Sequence, residues 1–144
     1  MADGRHERGL IDTSVLIDLP GLDPESLPEE LAVSAITMAE LAAGPHATQD
    51  PDERARRQDR LQRAEATFEA VPFEAGAARA YGRMYAAVVA AGKKARGRRA
   101  LDLLIAATAL SAELPLYTRN PADFREVVGL IDVLEVRVTR RGND

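Results

Sequence analysis

Four carboxylates, Asp12, Glu40, Asp102 and Asp123, are the residues of this chain that could do chemistry together. Carboxylates held close repel one another unless they are protonated or neutralised by a cation. An oxygen-only ligand set suits Mg²⁺, or Mn²⁺ in its place, and not Zn²⁺. Such a site activates water and steadies an in-line displacement at phosphorus. Cysteine is absent, which excludes disulfides and thiolate zinc sites. The two histidines are badly placed for a general base: His6 lies in a polar N-terminal segment and His46 follows a helix stop.

Each acid also has a purely structural explanation. Asp12 stands where an apolar strand gives way to a helix, the place of an N-cap. Thr37-Met38-Ala39-Glu40 matches a capping box, with Glu40 reaching back to the cap residue. Asn120-Pro121-Ala122-Asp123 reads as a helix start, with Asn as cap and Asp in the first turn. Asp102 is harder to explain away. It lies beside Leu101, Leu103, Leu104 and Ile105 on a helix expected to be buried. An unpartnered buried carboxylate costs several kcal/mol, and a helix dipole returns only about 0.3–1 kcal/mol. A cation must pay that difference, either a metal or a salt bridge from Arg98 or Arg99.

The elements that would position these acids alternate between short strands and helices. Strands are expected at 9–11, 31–35, 71–73, 114–118 and 131–138. Helices are expected at 13–19, 37–43, 51–70, 74–91 and 100–112, with a helical turn at 120–126. The helix at 100–112 is apolar nearly all round and belongs against the sheet. The pattern predicts an α/β fold of three layers, α/β/α and Rossmann-like, on a mainly parallel sheet of four to five short strands. In such a sheet ligands bind at the carboxyl ends of the strands near the switch point. All four acids lie just after an expected strand or in the first turns of a helix, so all four can converge on that edge.

The chain has 144 residues, the size of one domain over 1–144, with flexible tails expected at 1–8 and 139–144. Apolar residues make up 46%, enough for a core, and aromatics only 4%, which argues against base stacking as the main binding mode. The net charge of −4 is unlike that of a nucleic-acid coat protein. No apolar run approaches the length of a membrane span, and no leader-like segment follows Met1, so a cytoplasmic protein is expected. One segment is locally basic: Lys93, Lys94, Arg96, Arg98 and Arg99 lead directly into Asp102. It could grip RNA phosphates without reading sequence, or it could be a solvated loop. It is not a P-loop, because the spaced glycine and the Ser/Thr after Lys are missing.

The sequence resembles the PIN-domain ribonucleases, and among them the VapC-type toxins of bacterial type II toxin–antitoxin systems. The matching stretches are Leu10 to Asp18 (LIDTSVLID), Val33 to Leu41 (VSAITMAEL), Asp102 to Ala109 (DLLIAATA) and Thr118 to Phe124 (TRNPADF). Each is weak alone, but all four occur in family order across nearly the whole chain. The resemblance implies a metal-dependent endoribonuclease cutting single-stranded or loop RNA. It implies metal-binding roles for Asp12, Glu40 and Asp102. For the fourth position Asp123 is favoured as the acid, with Asn120 as a polar neighbour, and Thr13 or Ser14 places a hydroxyl near the metal. It also implies a homodimer and a cognate VapB-like antitoxin that blocks the site, with the helices at 51–70 and 74–91 as candidate contact surfaces. The rival reading is an inactive PIN-like module that only binds RNA or a partner. Two other Mg²⁺ folds fit poorly: Asp12-Thr13 lacks the acid pair of a receiver domain, and Ser14 stands where a haloacid-dehalogenase-type phosphatase needs a second Asp.

Overall fold

The computed structural model describes residues 6–139. Of the expected tails, 1–5 and 140–144 lie outside the described residues. Arg8 does not belong to a tail: it opens the first strand and pairs with Glu30 on the neighbouring one.

The elements run β1 (Arg8–Ile11), α1 (Thr13–Asp18), β2 (Glu30–Val33), α2 (Ala35–Ala43), α3 (Pro51–Thr67), α4 (Ala75–Ala90), α5 (Arg98–Ser111), β3 (Leu116–Thr118) and β4 (Val133–Glu135). The four strands form one sheet in the order β2-β1-β3-β4, and every pairing is parallel. From β1 the chain first adds β2 on one side and later β3 on the other. The strand order therefore reverses between β1 and β3, and a crevice opens beyond their carboxyl ends.

Side-chain alternation sorts the strands onto two cores. Leu10, Ala32 and Leu116 face the core shared with Met84 and Val88 of α4 and Ile105 and Ala109 of α5. Their neighbours Ile11, Val33 and Tyr117 face the other core, with Val15 and Leu16 of α1 and Ala64 of α3. That period of two gives the expected three layers. Tyr117 is packed so closely under β1 that a Cβ at Gly9 would lie 2.4 Å from its ring, which explains glycine there.

Several boundaries depart from the expectation. Strand β2 stops at Val33, because Ser34 leaves the ladder to cap α2. The strand expected at 71–73 shrinks to one bridge between Val71 and Ser34. Helix α5 begins two residues earlier than expected, after Gly97, whose φ of 63° lies in the left-handed region that glycine tolerates. Arg98 and Arg99 are thus helical and not part of the basic loop. The turn at 120–126 is a 3-10 segment, Pro121–Val127, and Asn120 makes no side-chain cap bond there.

Candidate active site

The acids are positioned by the strand ends. Asp12 directly follows β1, and its backbone N–H donates to Tyr117 of β3 at 3.0 Å. Its Oδ1 caps α1, accepting from the Val15 N–H at 3.0 Å and from the Ser14 hydroxyl at 2.7 Å. The structural explanation for Asp12 is therefore true as far as Oδ1 goes. Its Oδ2 takes no hydrogen bond among the described residues, and the side chain lines an open cavity at the carboxyl edge of the sheet.

For Glu40 the structural explanation fails. Ser34 is the cap of α2, accepting from the Thr37 N–H at 3.0 Å. The cap thus lies three residues before the expected box, and Glu40 falls mid-helix with no free N–H to reach. Its carboxylate turns to the cavity instead. Oε1 accepts from the Thr13 hydroxyl at 2.7 Å, and Oε2 pairs with Arg98. A row of buried hydroxyls stands behind it. Thr13 has one hydroxyl proton and gives it to Glu40, so in the 3.0 Å contact between Thr13 and Thr37 the donor is Thr37. The Ser34 hydroxyl in turn donates to Thr37 at 3.3 Å. The row fixes one rotamer of a carboxylate that would otherwise be mobile.

Asp102 sits in the first turn and a half of α5, only 7% exposed. Burial raises its carboxyl to about 6; the Arg98 charge opposes that rise, and the charges of Asp123, Asp12 and Glu40 add to it. Arg98 reaches Asp102 Oδ1 at 3.3 Å while it pairs with Glu40. Burial disfavours the Arg98 charge, but the bond to Glu40 and the fields of Glu40, Asp102 and Asp12 hold its pKa above the ordinary guanidinium value. The salt bridge considered for Asp102 is thus present, and Arg98 supplies it.

The cavity measures about 500 Å³ and is lined by Asp12, Thr13, Ser14, Glu40, Asp102, Asn120 and Asp123. Asp123 and Asn120 are exposed at its mouth, on the segment after β3. Glu53, Arg57 and Arg60 of α3 line the same cavity. Arg57 is held by Glu53 at 2.8 Å and by the Gly44 carbonyl at 2.9 Å, whereas Arg60 has no ion-pair partner among the described residues. Of the basic segment only Arg98 lines the cavity; Lys93, Lys94 and Arg96 are exposed in the α4–α5 loop, and Arg99 is half-buried on α5.

Among the described residues no three acidic side chains stand close enough to hold an ion as they are, because Arg98 lies between Glu40 and Asp102. The donor chemistry nevertheless fits a hard divalent cation: the oxygens of carboxylates, hydroxyls and the Asn120 amide, one carboxylate buried and pushed toward protonation, and Arg98 the cation that pairs with two of the acids.

Sequence reasoning missed Ser34, Thr37, Arg57 and Arg60. The hydroxyls had a readable signal, Ser-x-x-Thr directly after an apolar strand with Thr37 three residues before Glu40 on one helix face. The arginines had none, since only the tertiary fold brings α3 to the cavity.

Residues 9–130 match the PIN domain family. The chain is 35% identical to Ribonuclease VapC5 of Mycobacterium tuberculosis over 133 residues, 90% of this chain and 95% of that one. The solved structure of VapBC-5 from Mycobacterium tuberculosis, a member of the VapBC family of toxin-antitoxin systems, matches with a TM-score of 0.77 at 36% identity, over 92% of this chain and 99% of that chain. FitAcB from Neisseria gonorrhoeae matches with a TM-score of 0.67 at 27% identity, over 86% of this chain and 94% of that chain.

Proposed function

The chain belongs to the PIN-domain family, and from that premise we propose that it is a metal-dependent endoribonuclease of the VapC type, the toxin of a toxin–antitoxin pair. One observation carries the reading: Asp12, Glu40, Asp102 and Asp123 line one cavity at the sheet's switch point, together with Arg57, Arg60 and Arg98.

In this reading Asp12, Glu40 and Asp102 hold Mg²⁺, for which Mn²⁺ can substitute, and Asp123 completes the set from the mouth with Asn120 beside it. When bound, such a cation activates water as a nucleophile at neutral pH and offsets charge developing at phosphorus. The chain's own contribution is placement. Ser14 and the Val15 N–H fix Asp12 through Oδ1 and leave Oδ2 for the cavity. Thr13 fixes Glu40 through Oε1. Arg60 offers an uncommitted guanidinium to the RNA backbone, and Lys93, Lys94, Arg96 and Arg99 extend the positive field from outside the cavity. Phosphate contacts of this kind hold a strand without reading its sequence. The VapB-like antitoxin blocks the cavity, the chain pairs with a second copy, and α3 and α4 offer the contact faces. RNA as substrate places the work in the cytoplasm.

The test separates the two roles of Asp12. Asn caps a helix as well as Asp does, so Asp12→Asn keeps α1 and removes the charge. Purified protein is incubated with structured RNAs in Mg²⁺, in EDTA, and as the Asp12→Asn variant. Cleavage in the first arm alone is expected, with the variant slowed on the order of 10²–10³-fold. Equal cleavage in all three would refute a metal-dependent nuclease.

A further inference from the structure

Among the described residues, Arg98 is the one side-chain cation that pairs with acids of the cluster. It pairs with Glu40 Oε2 and Asp102 Oδ1, oxygens of two carboxylates that the proposed metal would also draw on. Its own side chain is 54% exposed, whereas those of Glu40 and Asp102 are 16% and 10% exposed, so the cation sits at the mouth and the anions sit beneath it. It stands at the first position of α5, after Gly97 at a positive φ, with solvent on its outer side. An arginine so placed can leave by side-chain rotation, without moving the helix. The other two arginines on the cavity do not pair with these acids: Arg57 is tied to Glu53 and Gly44, and Arg60 forms no ion pair among the described residues.

We propose that Arg98 is a built-in competitor of the divalent cation, neutralising Glu40 and Asp102 in the metal-free protein and surrendering both when the ion binds. The inference rests on the reading of these acids as metal ligands. Glu40 already commits Oε1 to Thr13 and Oε2 to Arg98, so an ion drawn in by both acids competes with the guanidinium for the same negative field, and loading weakens the Arg98 pairs. Arg98 thereby raises the metal concentration that the protein needs. It also keeps the acid cluster from repelling itself apart when no ion is present. Arg98 is a positioning residue here, acting through Glu40 and Asp102.

Mn²⁺ binding by titration calorimetry on the full-length chain, together with the melting temperature with and without Mn²⁺, tests this. Arg98→Gln keeps much of the side chain's length and removes the charge. It is expected to bind Mn²⁺ about tenfold tighter than the unsubstituted protein, equivalent to ~1.4 kcal/mol. Metal-free, it is expected to melt lower, and saturating Mn²⁺ closes that gap. Arg98→Lys keeps a charge but lacks the fork that spans two carboxylates, so its affinity is expected between the two. Unchanged or weaker Mn²⁺ affinity in Arg98→Gln, with Asp102→Asn binding poorly, overturns the competitor role and leaves the metal site standing. Mn²⁺ binding that Asp102→Asn does not weaken overturns the metal site and the competitor role together.

Discussion

Helix α5 contains two regions that obey opposite rules. Its residues Leu103, Ile105, Ala106, Ala107 and Ala109 are apolar and buried in the core shared with the sheet and α4, with Ile105 fully enclosed. One turn earlier Asp102 is equally buried but is a carboxylate, held by a half-exposed arginine and surrounded by three further acids. The first region contributes stability through burial, about 25 cal/mol for each Å² of apolar surface removed from water. The second costs stability, because burial and like charge both oppose its ionised form. The same backbone pays for a reactive edge with an apolar body, and strongly perturbed carboxyls in a cleft are the usual mark of such an edge.

Substitutions one turn apart should therefore separate stability from activity. The largest effect is expected for Asp102→Asn: RNA cleavage falls on the order of 10²–10³-fold, while the metal-free protein near pH 7 unfolds at a denaturant concentration equal to or higher than before. Ile105→Ala should do the reverse, costing about 2–5 kcal/mol in denaturant unfolding and leaving turnover per folded molecule close to normal. If Asp102→Asn destabilised the protein as much as Ile105→Ala, the contrast would collapse and Asp102 would be a structural ion pair.

A smaller effect probes the hydroxyl row behind Glu40. Thr37→Val preserves shape but removes the donor to Thr13, so the Thr13 hydroxyl is held less firmly toward Glu40. Cleavage is expected to fall about 10- to 100-fold, the usual loss when a support behind a ligand is removed, and Thr37→Ser should restore most of it. Equal losses in both variants would mean that the methyl packing of Thr37, and not its hydroxyl, matters.

The smallest effect is a slope. Asp102 titrates near 6 in the fold against 3.8 for an ordinary carboxyl. The folded state then holds a proton that the unfolded state has already released. Stability contributed by this group is complete below about pH 4, declines as pH rises toward 6, and is gone above that. Metal-free protein measured by urea unfolding should show that decline, and Asp102→Asn should flatten it.

Much of this edge was legible in the sequence, for reasons that differ by residue. Asp12 follows a short apolar run and precedes a helix, so its place at a strand end is local information. Asp102 betrays itself by being charged within an apolar helix. The parallel sheet follows from strands alternating with helices, and the four strands of the structure fall within the expected four to five. Glu40 was obscured by a false cap: Thr37 and Glu40 satisfy the box pattern, but Ser34 lies closer to the strand end and starts the helix first. Helix α3 shows the limit of local reading. Its sequence is a highly charged helix with a narrow apolar stripe, and nothing in that pattern says that Arg57 and Arg60 face a cavity built by residues far away in the chain.

The central claim is that Asp12, Glu40 and Asp102 together hold a divalent cation that Arg98 must yield to. Anomalous diffraction from crystals of the unsubstituted protein soaked in Mn²⁺ tests it most directly. The expected result is one strong peak within coordination distance of all three carboxylates, with the Arg98 guanidinium withdrawn from Glu40 and Asp102. A peak elsewhere, or an occupied site with Arg98 still bridging both acids, would contradict it.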